Sequence, residues 1–298
     1  MAVKARVSAD IAILGPGKVG TAIGVLSARA GLRVALAGRR PSSTRTAERT
    51  IGPAAAVCTL RQAAGAAKIV LLTVIDPEIR KLCEQLARAR AFAKGSVVAH
   101  CSGLLSSEVL SSARRLCSCA VGSMHPLQTF PSVEAAAAGF AGTYCFCEGD
   151  AAAAAALEDL ARTLGAEPVR ITPRSKAAYH AAAVMACNHL AALMDASLAL
   201  ARQAGIEPAT ALPALERLVR STVNNVFSMG PAEALTGPVA RGDVAAVRRH
   251  LEAMRPMSGD LRRFYRSAAA WTIQLAQRKG TLDDASAKAL RRVLVGRE

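Results

Sequence analysis

Short apolar runs alternate with amphipathic stretches through the first half of the chain. The run "ADIAILG" is followed by the helical pattern "GKVGTAIGVLSARAG", and "LRVALAG" is predicted as the second strand. Further strands are predicted at "AAVC", "AKIVLLTV", "GSVVAHCSG", "CSCAVGSMHP" and "GTYCFCEGD", with helices at "DPEIRKLCEQLARA" and "SSEVLSSARR". Strands that alternate with helices in units of about 30 residues predict an α/β fold with a mostly parallel sheet covered on both faces.

The pattern changes after residue 150. One more strand is predicted at "EPVRIT", and the chain then continues as helices punctuated by glycines, over residues 173–204, 208–228, 243–255, 260–279 and 282–297. We therefore predict an α/β domain over residues 1–150, a connection over 151–172 and an all-α domain over 173–298.

Composition supports two packed domains and raises one alternative function. The chain has 298 residues, of which 52% are hydrophobic, enough for a sizeable core. Its net charge of +16 suggests nucleic-acid binding, but the basic residues are scattered among Asp and Glu, and aromatic residues make up only 3%. We expect no nucleic-acid partner. The charge reflects either a general enrichment in arginine or the attraction of an anionic cofactor or substrate.

The cysteines and the N-terminal sequence bear on location and on metal binding. The start "MAVKARVSAD" lacks the apolar core of a signal peptide, so we expect eight reduced thiols in a cytoplasmic protein. "CSC" at 117–119 and "CFC" at 145–147 each place two thiols on one face of a strand. Because structural zinc sites prefer C-x2-C at tight turns, we interpret these cysteines as small core residues and expect no metal.

The most apolar segment, residues 177–201, is interpreted as a buried helix rather than a membrane span. It carries His180, Asn188, His189 and Asp195, and its many alanines favour membrane insertion only weakly. We therefore expect no membrane partner.

The stretch "ILGPGKVGTAIGVL", residues 13–26, has the glycine spacing of a nucleotide-binding turn between a strand and a helix. Gly15 permits the tight turn, Gly17 lets the backbone approach a pyrophosphate, and Gly20 lets the helix lie close to the strand. The helix N-terminus then offers N–H donors to the phosphates. A turn without a ligand is the simpler alternative.

The end of the second strand indicates which dinucleotide is bound. Enzymes that use NAD usually carry Asp or Glu about 20 residues after the glycine turn, to hold the ribose 2′-hydroxyl. This chain has "LAGRRPSSTR" there, and the two guanidinium groups and two hydroxyls of Arg39, Arg40, Ser42 and Ser43 suit the 2′-phosphate of NADP(H). The predicted cofactor-binding residues are Gly15, Gly17, Lys18, Val19, Gly20, Arg39, Arg40, Ser42, Thr73, Val74 and Ser102.

Two polar residues follow predicted strands at the edge where ligands bind in open α/β sheets. Ser102, in "HCSG", can hydrogen-bond a substrate or the nicotinamide amide, or simply stabilise a turn. His125, in "SMHPLQTF", can donate a proton near neutral pH, or serve as a structural turn residue.

The helical half adds further candidates. Lys176 and His180 are four residues apart and share a helix face, and Asn188 lies about three turns after Lys176. Lys176 can protonate a carbonyl oxygen or be a solvated cation at the helix start. Thr236, Arg241 and Asp243, in the loop "ALTGPVARGD", can contact substrate, and Asp243 can equally cap the next helix. The catalytic candidates are Lys176, His125, Ser102, His180 and Asn188, and the substrate-binding candidates are Thr236 and Arg241.

Taken together, "GPGKVG", "HCSG", "MHPLQTF", "KAAYHAAAVMACNHL" and "ALTGPVARGD" resemble a bacterial family that pairs a Rossmann-like domain with a C-terminal domain of unknown function (2520). The resemblance covers nearly the whole chain and extends to the 6-phosphogluconate-dehydrogenase-like superfamily, with ketopantoate reductase, pyrroline-5-carboxylate reductase, prephenate dehydrogenase and the β-hydroxyacid dehydrogenases. It implies a Rossmann-like N-terminal domain, an all-α C-terminal domain like that of 6-phosphogluconate dehydrogenase, NAD(P) binding and an active site between the domains.

The resemblance also implies roles for single residues. Lys176 is similar in position to the catalytic lysine of β-hydroxyacid dehydrogenases and ketopantoate reductases. Those enzymes have asparagine four residues later, where this chain has His180, and its own asparagine comes at Asn188. His125, with the proline after it, resembles the His-Pro of prephenate dehydrogenase, in which the histidine polarises the substrate hydroxyl. Ser102 resembles the strand-end serine of the same enzyme.

These features predict an NADPH-dependent oxidoreductase that reduces a small carbonyl-containing carboxylate, a 2-oxo acid like ketopantoate. An imine reductase similar to pyrroline-5-carboxylate reductase, or a non-catalytic NADP(H)-binding sensor, are the alternatives. The apolar helices exceed what one face of the α/β domain can cover, so we also predict a homodimer through the helical domain.

Overall fold

The apolar runs of the first half form one eight-stranded sheet. The computed structural model describes residues 8–296. Its strands are β1 (Ile11–Leu14), β2 (Val34–Ala37), β3 (Ala55–Val57), β4 (Ile69–Leu72), β5 (Val97–His100), β6 (Ala120–Pro126), β7 (Tyr144–Gly149) and β8 (Glu167–Arg170).

The sheet order is β3-β2-β1-β4-β5-β6-β7-β8, and the predicted mostly parallel arrangement is confirmed. Strands β1 to β6 are parallel to one another, β7 is antiparallel to β6, and β8 is parallel to β7. β1 lies between β2 and β4, so the winding of the chain reverses there. In open α/β sheets, ligands bind beside such a switch point, at the carboxyl ends of the strands.

Helices cover both faces of the sheet. They are α1 (Lys18–Arg29), α2 (Pro41–Ile51), α3 (Leu60–Ala66), α4 (Asp76–Arg88), α5 (Ser111–Cys117), α6 (Val133–Ala138) and α7 (Ala151–Thr163). Two separate apolar clusters result, one with Val70, Leu72 and Ile79, the other with Ile13, Leu36 and Phe140. The central strands are buried on both faces, which explains why they are continuous apolar runs rather than alternating ones.

The first compact unit extends further along the chain than residue 150. Residues 151–172, expected as a connection, form α7 and β8, and β8 pairs with β7 as the edge strand of the sheet. Leu157 and Leu160 of α7 are buried in the second of the two clusters. The first unit ends at Ala186 and the second begins at Cys187.

The remaining chain is helical, as predicted. After a 3-10 turn over Pro173–Ser175 come α8 (Lys176–Gln203), α9 (Pro208–Met229), α10 (Pro231–Ala234), α11 (Val244–Ala253), α12 (Gly259–Lys279) and α13 (Asp284–Val295). α8 starts in the first unit and continues into the second. The second unit has its own apolar core, built from α11, α12 and α13 around Val247, Ile273 and Leu290.

The cysteines lie mostly in the core, although one placement differs from the prediction. Cys145 and Cys147 are buried side by side on β7, as expected for core residues. Cys117 instead ends α5, and the left-handed residue Ser118 turns the chain before β6, so "CSC" is a helix terminus rather than part of a strand. All eight cysteines are free thiols.

One segment among the described residues is long and apolar enough to cross a membrane by length and composition alone. It is Pro173–Gln203, with a mean hydropathy of 1.4 in its most apolar window, and that window is not buried within the single chain. The expectation of a buried helix is therefore not met within one chain. Its first residue after the 3-10 turn, Lys176, is nonetheless anchored in the first unit.

Candidate active site

The glycine turn has the geometry that its sequence predicts. Gly15 has a φ of +102°, and a Cβ there would come within 2.5 Å of Cγ1 of Val74, so only glycine fits. The hydroxyl of Thr73 donates to the carbonyl of Gly15 at 2.7 Å and ties the turn to the end of β4. A Cβ on Gly17 would meet nothing within 4 Å, which leaves its backbone open to an approaching ligand.

The start of α1 offers unpaired donors at this opening. Gly17 is the N-cap residue and provides no side-chain cap. The backbone N–H groups of the first helical turn, from Lys18 and Val19, therefore have no partner within the helix, and they suit an anion. The ammonium of Lys18 points elsewhere and donates to the carbonyl of Pro131 at 2.7 Å.

A cleft of about 790 Å³ runs from the glycine turn to the end of β2. Arg39, Arg40 and Ser43 line it, whereas the predicted Ser42 is exposed on α2 and does not. Glu78 of α4 also lines it and pairs with Arg39 at 3.1 Å and with Lys81 at 3.2 Å.

Crowding around Gly38 explains why no carboxylate stands after β2, where enzymes that use NAD bind the ribose 2′-hydroxyl. A Cβ on Gly38 would lie 2.6 Å from Oγ1 of Thr44 and 2.8 Å from Cδ of Pro16. An Asp or Glu side chain therefore has no room directly after β2. The cationic side chains that follow, Arg39 and Arg40, are free of that constraint because they are exposed.

A second cleft, of about 490 Å³, continues from the glycine turn toward β5. It shares Gly17, Thr73 and Val74 with the first and adds Ser102 and Phe130. The two clefts together follow the carboxyl ends of β1, β2, β4 and β5, an arrangement that suits an elongated ligand.

Ser102 is buried at the end of this path, and its hydroxyl is fully used. Oγ donates to Oδ2 of Asp76 at 2.7 Å and accepts from the backbone N–H groups of Leu104 and Leu105. Its own N–H donates to Nδ1 of His100, a fully buried ring whose pKa burial lowers to about 3. In this conformation Ser102 stabilises the turn, one of the two roles its sequence allows.

Lys176 is not a solvated cation, since only 1% of its side chain is exposed. Its Nζ donates to the carbonyl of Ser102 at 2.8 Å and to Oγ of Ser123 at 2.6 Å. The carboxylate of Glu148 lies 3.8 Å away. Burial lowers the pKa of Lys176 to about 8, and the charge of Glu148 opposes that shift.

His125 and Tyr179 form a hydrogen-bonded pair beside this network. Nδ1 of His125 is 2.7 Å from the hydroxyl of Tyr179, and the ring of Tyr179 packs on Phe146 at 4.2 Å between centroids. Burial, and then the charge of Lys176, lowers the pKa of His125 to about 4, so its imidazole is neutral at pH 7. Burial also raises the pKa of Tyr179.

His180 completes this group. Its ring lies 5.9 Å from that of His125, at a near-perpendicular angle of 82°. Gly103 makes the approach possible, because a Cβ there would lie 2.6 Å from Nδ1 of His180 and 2.9 Å from Nε2 of His125. Nδ1 of His180 is buried without a hydrogen-bond partner.

Two family models match the segments of the chain that supply this site. Residues 3–126 match the model of a Rossmann-like domain, and residues 143–272 match that of DUF2520, a domain of unknown function. The chain pairs a Rossmann-like domain with a DUF2520 domain. A search of curated proteins finds no match.

Solved structures share the fold across nearly the whole chain. Protein TM1727 from Thermotoga maritima is 22% identical with a TM-score of 0.70, over 91% of this chain and 99% of that one. A proposed NADP oxidoreductase, BF3122 from Bacteroides fragilis, is 21% identical with a TM-score of 0.73, over 90% and 98%. A reductive aminase from Aspergillus terreus, in complex with NADPH and ethyl levulinate, is 15% identical with a TM-score of 0.65, over 95% and 98%.

The remaining predicted residues lie in the part of the DUF2520 domain that belongs to the second unit. Asn188 is exposed on α8, and Thr236 and Arg241 are exposed in the loop before α11. Asp243, at the end of this loop, caps α11 by accepting from the N–H of Ala246 at 2.9 Å. Their roles in substrate binding remain predictions.

Several site residues were missed by the sequence analysis. Glu148, Ser123 and Ser107 lie in strand and turn segments that read only as core, and the partnership of Tyr179 with His125 joins positions 54 residues apart. Cys101 and Phe130 line the second cleft, and burial raises the pKa of the Cys101 thiol to about 12, which disfavours the reactive thiolate. Of these residues, only Glu148 stands out in the sequence, as a carboxylate within an otherwise apolar strand.

Proposed function

We propose that the protein is an NADP(H)-dependent oxidoreductase that reduces a carbonyl or imine carbon of a small molecule. The observation that carries the proposal is the pair of clefts that meet at the glycine turn. One extends to Arg39 and Arg40, and the other reaches Ser102 at the end of β5. The NADP oxidoreductase and the NADPH-bound reductive aminase with the same fold support it.

The residues present fit the cofactor. The open backbone at Gly17 and the free N–H groups at the start of α1 suit a pyrophosphate. The guanidinium groups of Arg39 and Arg40 suit a 2′-phosphate, and the crowded Gly38 disfavours the carboxylate of an NAD site. Bound NADPH supplies a hydride to the electrophilic carbon of the substrate.

We assign proton transfer to His125 together with Tyr179. His125 is neutral at pH 7, and its Nδ1 shares a hydrogen bond with a tyrosine hydroxyl, so the pair can hold one proton and release it to a developing alkoxide or to the nitrogen of a neutral imine. Lys176 is a weaker candidate for the donor because its ammonium is enclosed and already donates twice. The candidates for orienting substrate are His180, Asn188, Thr236 and Arg241.

The first candidate substrate is a small 2-oxo acid, with Arg241 as the predicted partner of its carboxylate. Imine reduction is the second candidate, and two observations favour it. The fold is shared with an imine reductase from Aspergillus terreus, at 14% identity and a TM-score of 0.62. The charge of Lys176 is also offset by the carboxylate of Glu148, 3.8 Å away, which reduces its repulsion of a cationic iminium.

A substrate panel with NADPH present separates these candidates. Oxidation of NADPH with 2-oxo acids such as ketopantoate supports the first, and oxidation with cyclic imines such as pyrroline-5-carboxylate supports the second. Tight NADPH binding with no oxidation across both sets would indicate a sensor. Lys176→Ala is a poor discriminator, because it would disturb a buried network under either reaction.

We further propose a cytoplasmic homodimer that pairs through the helical domain. Large apolar side chains of the second unit are exposed in the single chain, among them Leu218, Phe227 and Trp271, at 63%, 86% and 61%. The apolar window of α8 is likewise unburied. Free thiols throughout the chain agree with a reducing compartment. Light scattering at micromolar concentration tests the dimer, and a monomeric mass contradicts it.

A further inference from the structure

Glu148 is a fully buried carboxylate outside the proposed proton-transfer pair. It lies on β7, and its oxygens accept three hydrogen bonds of 2.8 Å, from the N–H of Ser107, the hydroxyl of Ser107 and the hydroxyl of Ser123. A buried charge persists only where it is paired and hydrogen-bonded. This carboxylate is paired with Lys176, 3.8 Å away, and is hydrogen-bonded by the two serines.

Lys176 and Glu148 together connect segments that are far apart in sequence. Glu148 holds Ser107 in the 3-10 turn after β5 and Ser123 on β6. Lys176 holds the same Ser123 and also the carbonyl of Ser102. Both charged residues belong to the segment matched by DUF2520, whereas the three serines belong to the Rossmann-like segment.

The pair also fixes the register of α8 against the sheet. Lys176 is the first residue of α8, and Tyr179 and His180 follow three and four residues later, on the same side of the helix. Anchoring Nζ at Ser102 and Ser123 therefore sets where Tyr179 meets His125 and where His180 meets Gly103.

We propose that Glu148 and Lys176 form a buried positioning pair, which locks the Ser102 turn and the first turn of α8 together so that His125 and Tyr179 are held in register for proton transfer. Neither charge contacts substrate. Packing alone does not require such a pair, because apolar residues of similar volume often stabilise a core equally well. Unlike apolar residues, a buried ion pair fixes one geometry, here the position of the Ser102 carbonyl relative to α8. The expected effect on proton transfer rests on the proposed function, whereas the fixed position of α8 and the Ser102 turn does not.

The test compares Lys176→Met, Glu148→Gln and the double variant. Each single change leaves one buried group without its partner, so both single variants should melt at clearly lower temperature. The double variant removes both charges and should regain most of the melting temperature. Positioning would still be lost, so its kcat should fall about 10-fold or more, with the Kd for NADPH within about 2-fold of the wild type.

Proton NMR provides a readout that does not depend on turnover. The chain has five histidines, so the signal of the proton shared by His125 and Tyr179 can be assigned by its loss in Tyr179→Phe. The proposal expects this signal to broaden or vanish in the double variant. As a control, Arg114→Met with Asp150→Asn removes a partly exposed ion pair of 2.8 Å elsewhere in the same unit. It should leave the signal and kcat unchanged.

Two results would overturn the proposal. A double variant with wild-type kcat and NMR signal would mean that the pair does not position His125 and Tyr179, whatever its effect on melting. A double variant that keeps the signal but loses kcat would mean that Lys176 acts directly in the chemistry. If the wild type turns over no substrate, the NMR signal still decides the geometric claim, so failure of the proposed function is distinguished from failure of this one.

Discussion

The two ends of the candidate site are built in opposite ways. At the cofactor end, the ligand would meet open backbone at Gly17 and exposed side chains such as Arg39, of which 72% is accessible. At the other end, Lys176 and Glu148 are essentially inaccessible, and every hydrogen bond among them and their serines is 2.8 Å or shorter. Exposed cations adapt to a ligand, whereas buried polar groups fix a single arrangement.

This difference predicts how each end responds to mutation. Changes at the exposed end should lower the affinity for the cofactor by degrees and leave the fold intact, because exposed charges contribute modestly to stability. Changes at the buried end should affect turnover or folding sharply and leave cofactor affinity nearly untouched.

The largest effect is expected at the buried end, from Tyr179→Phe and His125→Asn. Each removes one member of the proton-transfer pair, so kcat should fall about 100- to 10,000-fold while the Kd for NADPH stays constant. Steady-state kinetics and fluorescence titration measure the two quantities. Tyr265→Phe is the matched control, since Tyr265 forms a similar pair with His250, at 2.8 Å, in the second unit. Equal losses in Tyr179→Phe and Tyr265→Phe would contradict the assignment.

The glycine turn should give the next largest effect. Gly15→Ala adds a Cβ where φ is +102° and where Val74 stands in the way, so the affinity for NADPH should fall about 100-fold as the turn is displaced. Gly31→Ala is the control, because Gly31 also has positive φ, +79°, but has open space around it. That variant should lose stability alone. Similar NADPH affinities for the two variants, measured by titration, would argue against a cofactor at this turn.

Arg39→Ala combined with Arg40→Ala should act on one cofactor selectively. Loss of two guanidinium groups should raise the KM for NADPH about 10-fold or more and that for NADH less than about 3-fold. Arg45→Ala, on the exposed surface of α2 outside the cleft, serves as the control and should change neither. A parallel rise for both cofactors would exclude a 2′-phosphate site between the two arginines.

The smallest effect is a loss of folding stability in mild acid, which arises from two histidines at the buried end. The folded-state pKa values of His100 and His125 are about 3 and about 4, below the 6.5 of an unfolded histidine. Between the folded and the unfolded pKa values, these two histidines bind more protons in the unfolded chain than in the folded one. The free energy of unfolding is therefore at its full value above pH 6.5 and declines as the pH falls below it. We expect a loss of about 1–3 kcal/mol between pH 6.5 and pH 5. Urea unfolding measures it, and a flat profile would contradict the burial of these rings.

The same contrast explains what the sequence could predict. The glycine turn, Arg39 and Arg40 are local features, where the spacing of a few residues carries the chemistry. The buried end depends on contacts over long sequence distances, such as Lys176 with Ser102, 74 residues apart. Nothing in the local pattern around Lys176 separates a solvated cation from an enclosed one. Likewise, the pattern predicts a strand at "EPVRIT" but does not show that it pairs with β7, and nothing in residues 151–163 shows that α7 packs on the same sheet.

Titration of the wild-type protein with NADPH and NADH, followed by the panel of 2-oxo acids and cyclic imines, tests the central claim most directly. The account predicts that NADPH binds at least about 10-fold more tightly than NADH. It also predicts that one of the two substrate classes drives oxidation of bound NADPH. Failure to bind either nucleotide, or tighter binding of NADH, would contradict it.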